Sequence, residues 1–156
     1  KGDKEAAKQY ALKATSLGAA APEAQANLGM LALAEGDVQG AERLIAKASG
    51  SENVQSALGA LNIAKGNYAQ AEQNFDDATC NSAALAQILN KNYAKASSTL
   101  RAIKNRDAMT EYLTAIVNAR QGNTTDAASA LKLAIQKDPS LAAYAANDIE
   151  LAKVSK

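Results

Sequence analysis

Lys65-Gly66-Asn67-Tyr68-Ala69-Gln70-Ala71 is the stretch whose reading decides the fold, because its outline recurs four more times along the chain. The other copies open at Lys1-Gly2-Asp3, Glu35-Gly36-Asp37-Val38, Asn90-Lys91-Asn92-Tyr93 and Gln121-Gly122-Asn123-Thr124. Each is followed by an alanine near its fifth residue (Ala7, Ala41, Ala71, Ala96, Ala127), and then by a larger or apolar residue four further on. Glycine and asparagine accept the left-handed backbone that ends a helix. Asp37, Asn67, Asn92 and Asn123 can then cap the helix that follows. The phrase therefore reads as a mechanical instruction: stop one helix, turn, cap the next. Such a phrase at intervals of a few tens of residues marks a solenoid of one repeated unit. The alternative, unrelated loop residues, leaves the recurring alanines and apolar positions unexplained.

Between the phrases, apolar residues recur at i, i+3, i+4 and i+7, the pattern of an amphipathic helix. Leu28, Leu31 and Ala32 form such a stripe between Glu23 and Glu35, and Ala41, Leu44, Ile45 and Ala48 form one between Val38 and Ala48. The next pair runs from about Glu52 to Lys65 (Leu58, Leu61, Ile63) and from Tyr68 to Thr79 (Ala71, Phe75, Ala78). Helices follow near Ala83–Leu89, Tyr93–Lys104, Ala108–Arg120 and Thr125–Gln136. Pro139 suits the first turn of a last helix, capped by Asp138 or a neighbour and running to about Val154. Its stripe is Leu141, Ala145, Ile149 and Ala152, the form of a closing cap. Strand patterns are absent, and connections of two to six residues make consecutive helices antiparallel hairpins.

The spacing is uneven. The steps are 34 from Gly2 to Gly36, 30 to Gly66, 25 to Lys91 and 31 to Gly122. Losing about nine residues removes roughly 13 Å of helix. The deficit is expected in the first helix of that repeat, leaving Asn81–Asn90 as two or three turns and changing the curvature there. Harmless drift is the other account of the short step.

Bulk properties bound the function. At 156 residues the chain can bury a continuous core as one domain. It is 47% hydrophobic but only 4% aromatic, so its layers are thin and spaced by Ala and Leu. A net charge of +1 gives no field for nucleic acid. No run of about 18 apolar residues is present to span a bilayer. The opening Lys1 and the missing leader are read as marks of a processed or excised piece whose true start lies upstream.

Catalytic chemistry finds little to work with. There is no His and a single Cys80, so neither a Ser-His-Asp nor a Cys-His arrangement, a metal site nor an internal disulfide can be assembled. Cys80 reads as a small structural thiol near a helix boundary. No phosphate-binding or dinucleotide fingerprint occurs, so no cofactor is expected. The carboxylate pairs Asp76-Asp77 and Asp148 with Glu150 read as solvated helical faces. Lys91, Lys95, Arg101, Lys104 and Arg106 gather around one helix and could meet an anion, but an ordinary polar surface explains them as well. No interleaved aromatics support nucleic-acid stacking.

These residues resemble the tetratricopeptide repeat (TPR) family, whose 34-residue unit has Leu-Gly in its first helix, Gly at the turn, and Ala with an apolar residue in its second. Leu28-Gly29, Gly36, Ala41, Ile45 and Ala48 match one unit. Leu58-Gly59, Gly66, Tyr68, Ala71, Phe75 and Ala78 match the next, and Gly122, Ala127, Leu131, Ala134 and Asp138-Pro139 a later one. The Trp position is not kept. The resemblance implies an all-α solenoid of four to five hairpins, about nine to ten helices, acting as a non-catalytic protein-interaction scaffold. Its concave wall would carry Met30, Leu33, Ala60, Ile63, Tyr112 and Ile116 toward a protein or peptide partner. The same residues could instead pack against neighbouring helices. The carboxylate clamp of chaperone-binding TPR proteins is missing at Ala26, Met30 and Ser56, so capture of an acidic tail is not expected. A weaker resemblance, in Asn81–Asn90 and Ala145–Ala152, is to TPR regions of Bacteroidetes cell-envelope proteins that accompany an OmpA-like part. It implies a periplasmic or envelope location, with a cytoplasmic one as the alternative. The unpaired first helix, Asp3 to Leu17, would expose Ala6, Tyr10, Ala14 and Leu17. The runner-up function follows from that edge: a structural spacer or self-association module.

Overall fold

The computed structural model describes residues 21–151 together with Glu5, Ala6, Gln9, Tyr10, Leu12, Lys13 and Val154. The chain is all α, with no strand among the described residues. In chain order the helices are α1 (Pro22–Ala34), α2 (Val38–Ala46), α3 (Val54–Ala64), α4 (Tyr68–Phe75), α5 (Asn81–Leu89), α6 (Tyr93–Ala102), α7 (Ala108–Arg120), α8 (Thr124–Lys137) and α9 (Leu141–Asn147). The expected first helix falls mostly outside the described residues, Ala14 and Leu17 included. Its described members are helical, and the Tyr10 side chain is exposed.

The chain divides into two compact units, Lys1–Asp76 (unit 1) and Asp77–Lys156 (unit 2). In unit 1, α1 packs on α2 and α3 on α4, and α3 also lies against both α1 and α2. In unit 2, α5 packs on α6 and α7 on α8, with α7 also against α5 and α6, and α9 against α8.

Among the described residues, the four turns that carry the recurring phrase share one geometry. The residue after the helix cap has positive φ: +83° at Gly36, +77° at Gly66, +82° at Gly122 and +63° at Lys91. The next amide reaches back five residues, with Asp37 N–H donating to Ala32 O, Asn67 to Asn62 O, Asn92 to Gln87 O and Asn123 to Asn118 O, at 2.8 to 2.9 Å. The positive-φ amides donate to Leu33, Ile63, Ile88 and Ala119. This paired pattern satisfies carbonyls that a helix end would otherwise strand. The expected caps hold only in part. Asp37 accepts from Gly40 N–H and Asn92 from Lys95 N–H, but Asn67 and Asn123 make no side-chain cap bond. The Asn67 amide donates instead to Asn62 Oδ1.

The recurring alanines define the core. Ala41, Ala71, Ala96 and Ala127 are all fully buried, and four residues on, Ile45, Phe75, Leu100 and Leu131 are buried too. Seven residues before each turn the first helix carries Gly29, Gly59, Ala84 or Ala115. A methyl group at Gly59 would come to 2.6 Å from the Phe75 ring, and one at Gly29 to 2.5 Å from Ile45. Unit 2 has alanine at this place, where Ala84 shares a core with Leu100 and Ala115 with Leu131. Helix α5 has nine residues, as the short repeat requires.

Two helix ends depart from expectation. Helix α4 stops at Phe75 rather than Thr79, and Ala78 is exposed. Asp76 there has φ +45°, and a carboxylate pair at a helix C-terminus opposes the dipole. Helix α9 ends at Asn147 rather than near Val154. Asp148 turns extended, and its carboxylate accepts Glu150 N–H, a local bond that competes with helix. Leu151 is therefore the residue driven into the core, while Ile149, expected on the buried stripe, is 90% exposed. Asp138 bonds Ser140 rather than capping α9, whose N-cap position is Ser140.

Candidate functional site

The residues expected to meet a partner fall into two groups. In unit 1, Met30 and Ala60 lie six residues before their turn glycines, and Leu33 and Ile63 lie three before. Met30 is 40% exposed. Ala60 and Ile63 are half-buried, and Leu33 is half-buried against the α1–α3 core. Because α1 and α3 pack together, these four residues belong to adjacent first helices.

In unit 2 the same expectation lands on one buried core residue and one at the core margin. Tyr112 is buried and shares a core with Leu131 and Leu141. Ile116 is half-buried and packs against both unit 2 clusters. The side chain at the register of Met30 in α5 is Leu85, half-buried against the same core as Ile116. It is absent from the expected residues, although the Asn90-Lys91-Asn92 phrase marks its turn and counting six residues back from Lys91 reaches it.

The α6–α7 connection carries the densest polar group. Arg106 grips Glu111 at both oxygens, Nε to Oε1 at 3.0 Å and Nη2 to Oε2 at 2.8 Å. Its other donors go to Leu100 O and Thr114 Oγ1. Lys137, from the end of α8, donates to Arg106 O at 2.6 Å and stands 3.5 Å from Glu111 Oε1. The Glu111 side chain is only 8% exposed. Hydrogen bonding from Arg106 holds its carboxyl below the ordinary range, against burial, which pushes the other way. Beside it, Asp107 Oδ1 accepts the Thr110 amide at 2.7 Å and the Asn81 amide at 3.0 Å, while Thr110 Oγ1 accepts Asp107 N–H. These bonds also lower the Asp107 pKa, the Thr110 backbone amide contributing most. The Asp107-x-x-Thr110 spacing is a legible capping signal. The Lys137–Arg106 contact, 31 residues apart, has none. The group fastens a loop to two helices.

A second polar group ties α7 to the segment after α9. The Tyr112 hydroxyl donates to Asp148 Oδ2 at 2.7 Å, and burial, followed by this hydrogen bond and the Asp148 charge, pushes its pKa upward. Arg120 forks onto Glu150 and donates to the Tyr93 hydroxyl at 3.0 Å. A shallow cleft of about 440 Å³ lies beside α9, lined by Tyr112, Ala143, Tyr144, Asn147 and Asp148.

The other sequence candidates are dispersed. Of the five cations near α6, Arg106 is spent on Glu111 and Arg101 bonds Ser97 O. Lys91 and Lys104 are exposed. Asp76, Asp77 and Cys80 are exposed as well. Among the described residues no cluster of three or more His, Cys, Asp or Glu could hold a metal ion, and no helix is long and apolar enough to cross a membrane. No protein-family model matches the chain, and no curated protein matches it either.

Proposed function

We propose that this chain is a TPR-like, non-catalytic scaffold that binds a peptide or protein segment on the first-helix face of unit 1. The observation that carries the reading is a repeated register. Met30 with Ala60, and Leu33 with Ile63, occupy equivalent places on two helices that pack together, and none is fully buried. Apolar side chains at helical spacing on adjacent rods suit an amphipathic helix or an extended peptide. Tyr112 is buried in a unit 2 core with its hydroxyl on Asp148, so the proposal leaves it out. Ile116 is half-buried, as Leu33 is, and the face is placed on unit 1 because its four residues repeat in register there. The shared turn geometry and the buried alanine register support the TPR-like reading. A periplasmic or envelope setting is part of the proposal and rests on the resemblance of residues 81–90 and 145–152.

The test is a peptide selected from a random display library on the full chain, then titrated against Met30→Glu/Ala60→Glu. Both sites are away from full burial, so the fold should survive, which circular dichroism would confirm. The reading expects affinity to fall more than about tenfold; unchanged affinity in the folded variant rejects it. Light scattering on the same samples should give one mass at all concentrations. A mass that rises with concentration supports the self-association module instead.

A further inference from the structure

The cleft beside α9 brings an exposed aromatic ring and a carboxylate together in one lining. The Tyr144 ring is 70% exposed. Asp148 is half-buried and accepts hydrogen bonds from the Tyr112 hydroxyl and the Glu150 amide, two neutral donors that leave its negative charge in place. The upward-shifted Tyr112 stays protonated, so it remains a donor to Asp148 and adds no competing charge. Asn147 gives one amide N–H to Ala143 O, and its Oδ1 remains an acceptor beside its second N–H. Among the described residues no cation lines the cleft. Arg120 neutralises the neighbouring Glu150, but its guanidinium is committed there and to Tyr93, over whose ring it sits at 5.9 Å.

We infer that this cleft is a binding site for a cationic side chain, an arginine of a partner peptide, stacked on Tyr144 with its guanidinium against Asp148. A planar guanidinium pairs with a carboxylate and lies flat on an aromatic face, and both partners are present within one cleft. An anion would find no positive group among the described lining residues and would meet the Asp148 charge. A purely apolar ligand would strip water from Asp148 without replacing it. The inference depends on the scaffold reading only in taking the ligand to be part of a protein, and it concerns unit 2 rather than the α1–α3 face.

The probe is N-acetyl-argininamide, titrated into the full chain while the tyrosine ring resonances are followed by NMR. Its neutral isostere N-acetyl-citrullinamide serves as the control. The arginine compound should give saturable shifts at Tyr144 with millimolar affinity that weakens as salt is added, and citrulline should bind at least about fivefold more weakly. Tyr144→Ala should abolish the saturable response. Asp148→Asn, which can still accept from Tyr112, should weaken binding about fivefold and remove its salt dependence. Equal binding of citrulline, or arginine binding indifferent to Asp148→Asn, overturns the inference. A failure here with Met30/Ala60-dependent peptide binding intact would leave the scaffold reading standing, and the reverse result would leave this site standing.

Discussion

In unit 1 the first helices carry Gly29 and Gly59 opposite Ile45 and Phe75; in unit 2 the same places hold Ala84 and Ala115, in cores with Leu100 and Leu131. A methyl removed from one helix goes with a bulkier or β-branched partner on the other. The two pairings are alternative ways of filling one space, since interiors keep nearly constant density. The polar fastenings differ in where the charge lies: an ion pair in unit 1, Lys65 with Glu42 at 2.7 Å, is exposed, whereas Glu111 in unit 2 is buried. Unit 1 links α3 to α4 through neutral amides: Asn62 donates to Asn74 Oδ1 at 2.8 Å, and Asn74 donates to Gln55 Oε1 at 3.0 Å. In unit 2, Glu111 is held between Arg106 and Lys137. The comparison teaches that the repeated register fixes the hairpin, while each unit chooses its own means of holding it.

The largest expected break in that comparison is Phe75→Ala, which empties the space over Gly59. It should cost about 3–5 kcal/mol, and native-state hydrogen exchange should show the loss in unit 1 amides while unit 2 protection is less affected. An effect spread equally over both units would contradict two separately organised cores.

Next comes the charged fastening. Arg106→Met leaves a buried carboxylate with Lys137 alone, and should cost about 2 kcal/mol at neutral pH, less than for a fully buried pair because Arg106 is partly exposed. The sign of its pH dependence follows from the lowered Glu111 pKa. A carboxyl depressed in the folded state contributes stability above its unfolded pKa and loses it as pH falls through the folded one. The gap between the variant and the parent should therefore narrow below about pH 4; denaturant melts across the acid range would measure it. A constant gap would mean that Arg106 acts by packing rather than charge.

The hairpins were readable from sequence because their signals are local. Gly36, Gly66 and Gly122 announce turns, and alanines at a fixed distance beyond them announce a tight second helix. Even the shortened α5 followed from counting. What escaped depended on contacts between distant positions or on competition at helix ends. Nothing near Tyr112 reveals that Asp148 will accept its hydroxyl, and nothing in the apolar spacing of 141–152 reveals that Leu151 will replace Ile149 in the core. The candidate face was legible to the same degree: Met30 and Ala60 could be placed by register, but the burial of Tyr112 required knowing which helices cover it.

Lys91 gives the smallest and sharpest contrast. It occupies at φ +63° the position that glycine holds in the other three turns. An L-residue there costs roughly 1–2 kcal/mol, offset in part by the greater chain entropy that glycine loses on folding. Lys91→Gly should thus stabilise unit 2 by about 0.5–1 kcal/mol, read from a denaturation midpoint at unchanged slope. A destabilisation would show that the lysine side chain contributes more than its backbone costs.

The equivalence of the two pairings is tested most directly by moving one into the other unit. A double-mutant cycle on Gly59→Ala and Phe75→Leu in the full chain measures whether the unit 2 solution fits unit 1. The predicted result is that Gly59→Ala alone costs about 1–3 kcal/mol from overpacking against the ring. Added to Phe75→Leu, the same alanine should cost far less, giving a favourable coupling of at least about 1 kcal/mol. Strictly additive losses would mean that position 59 does not face position 75, and the common register would be contradicted.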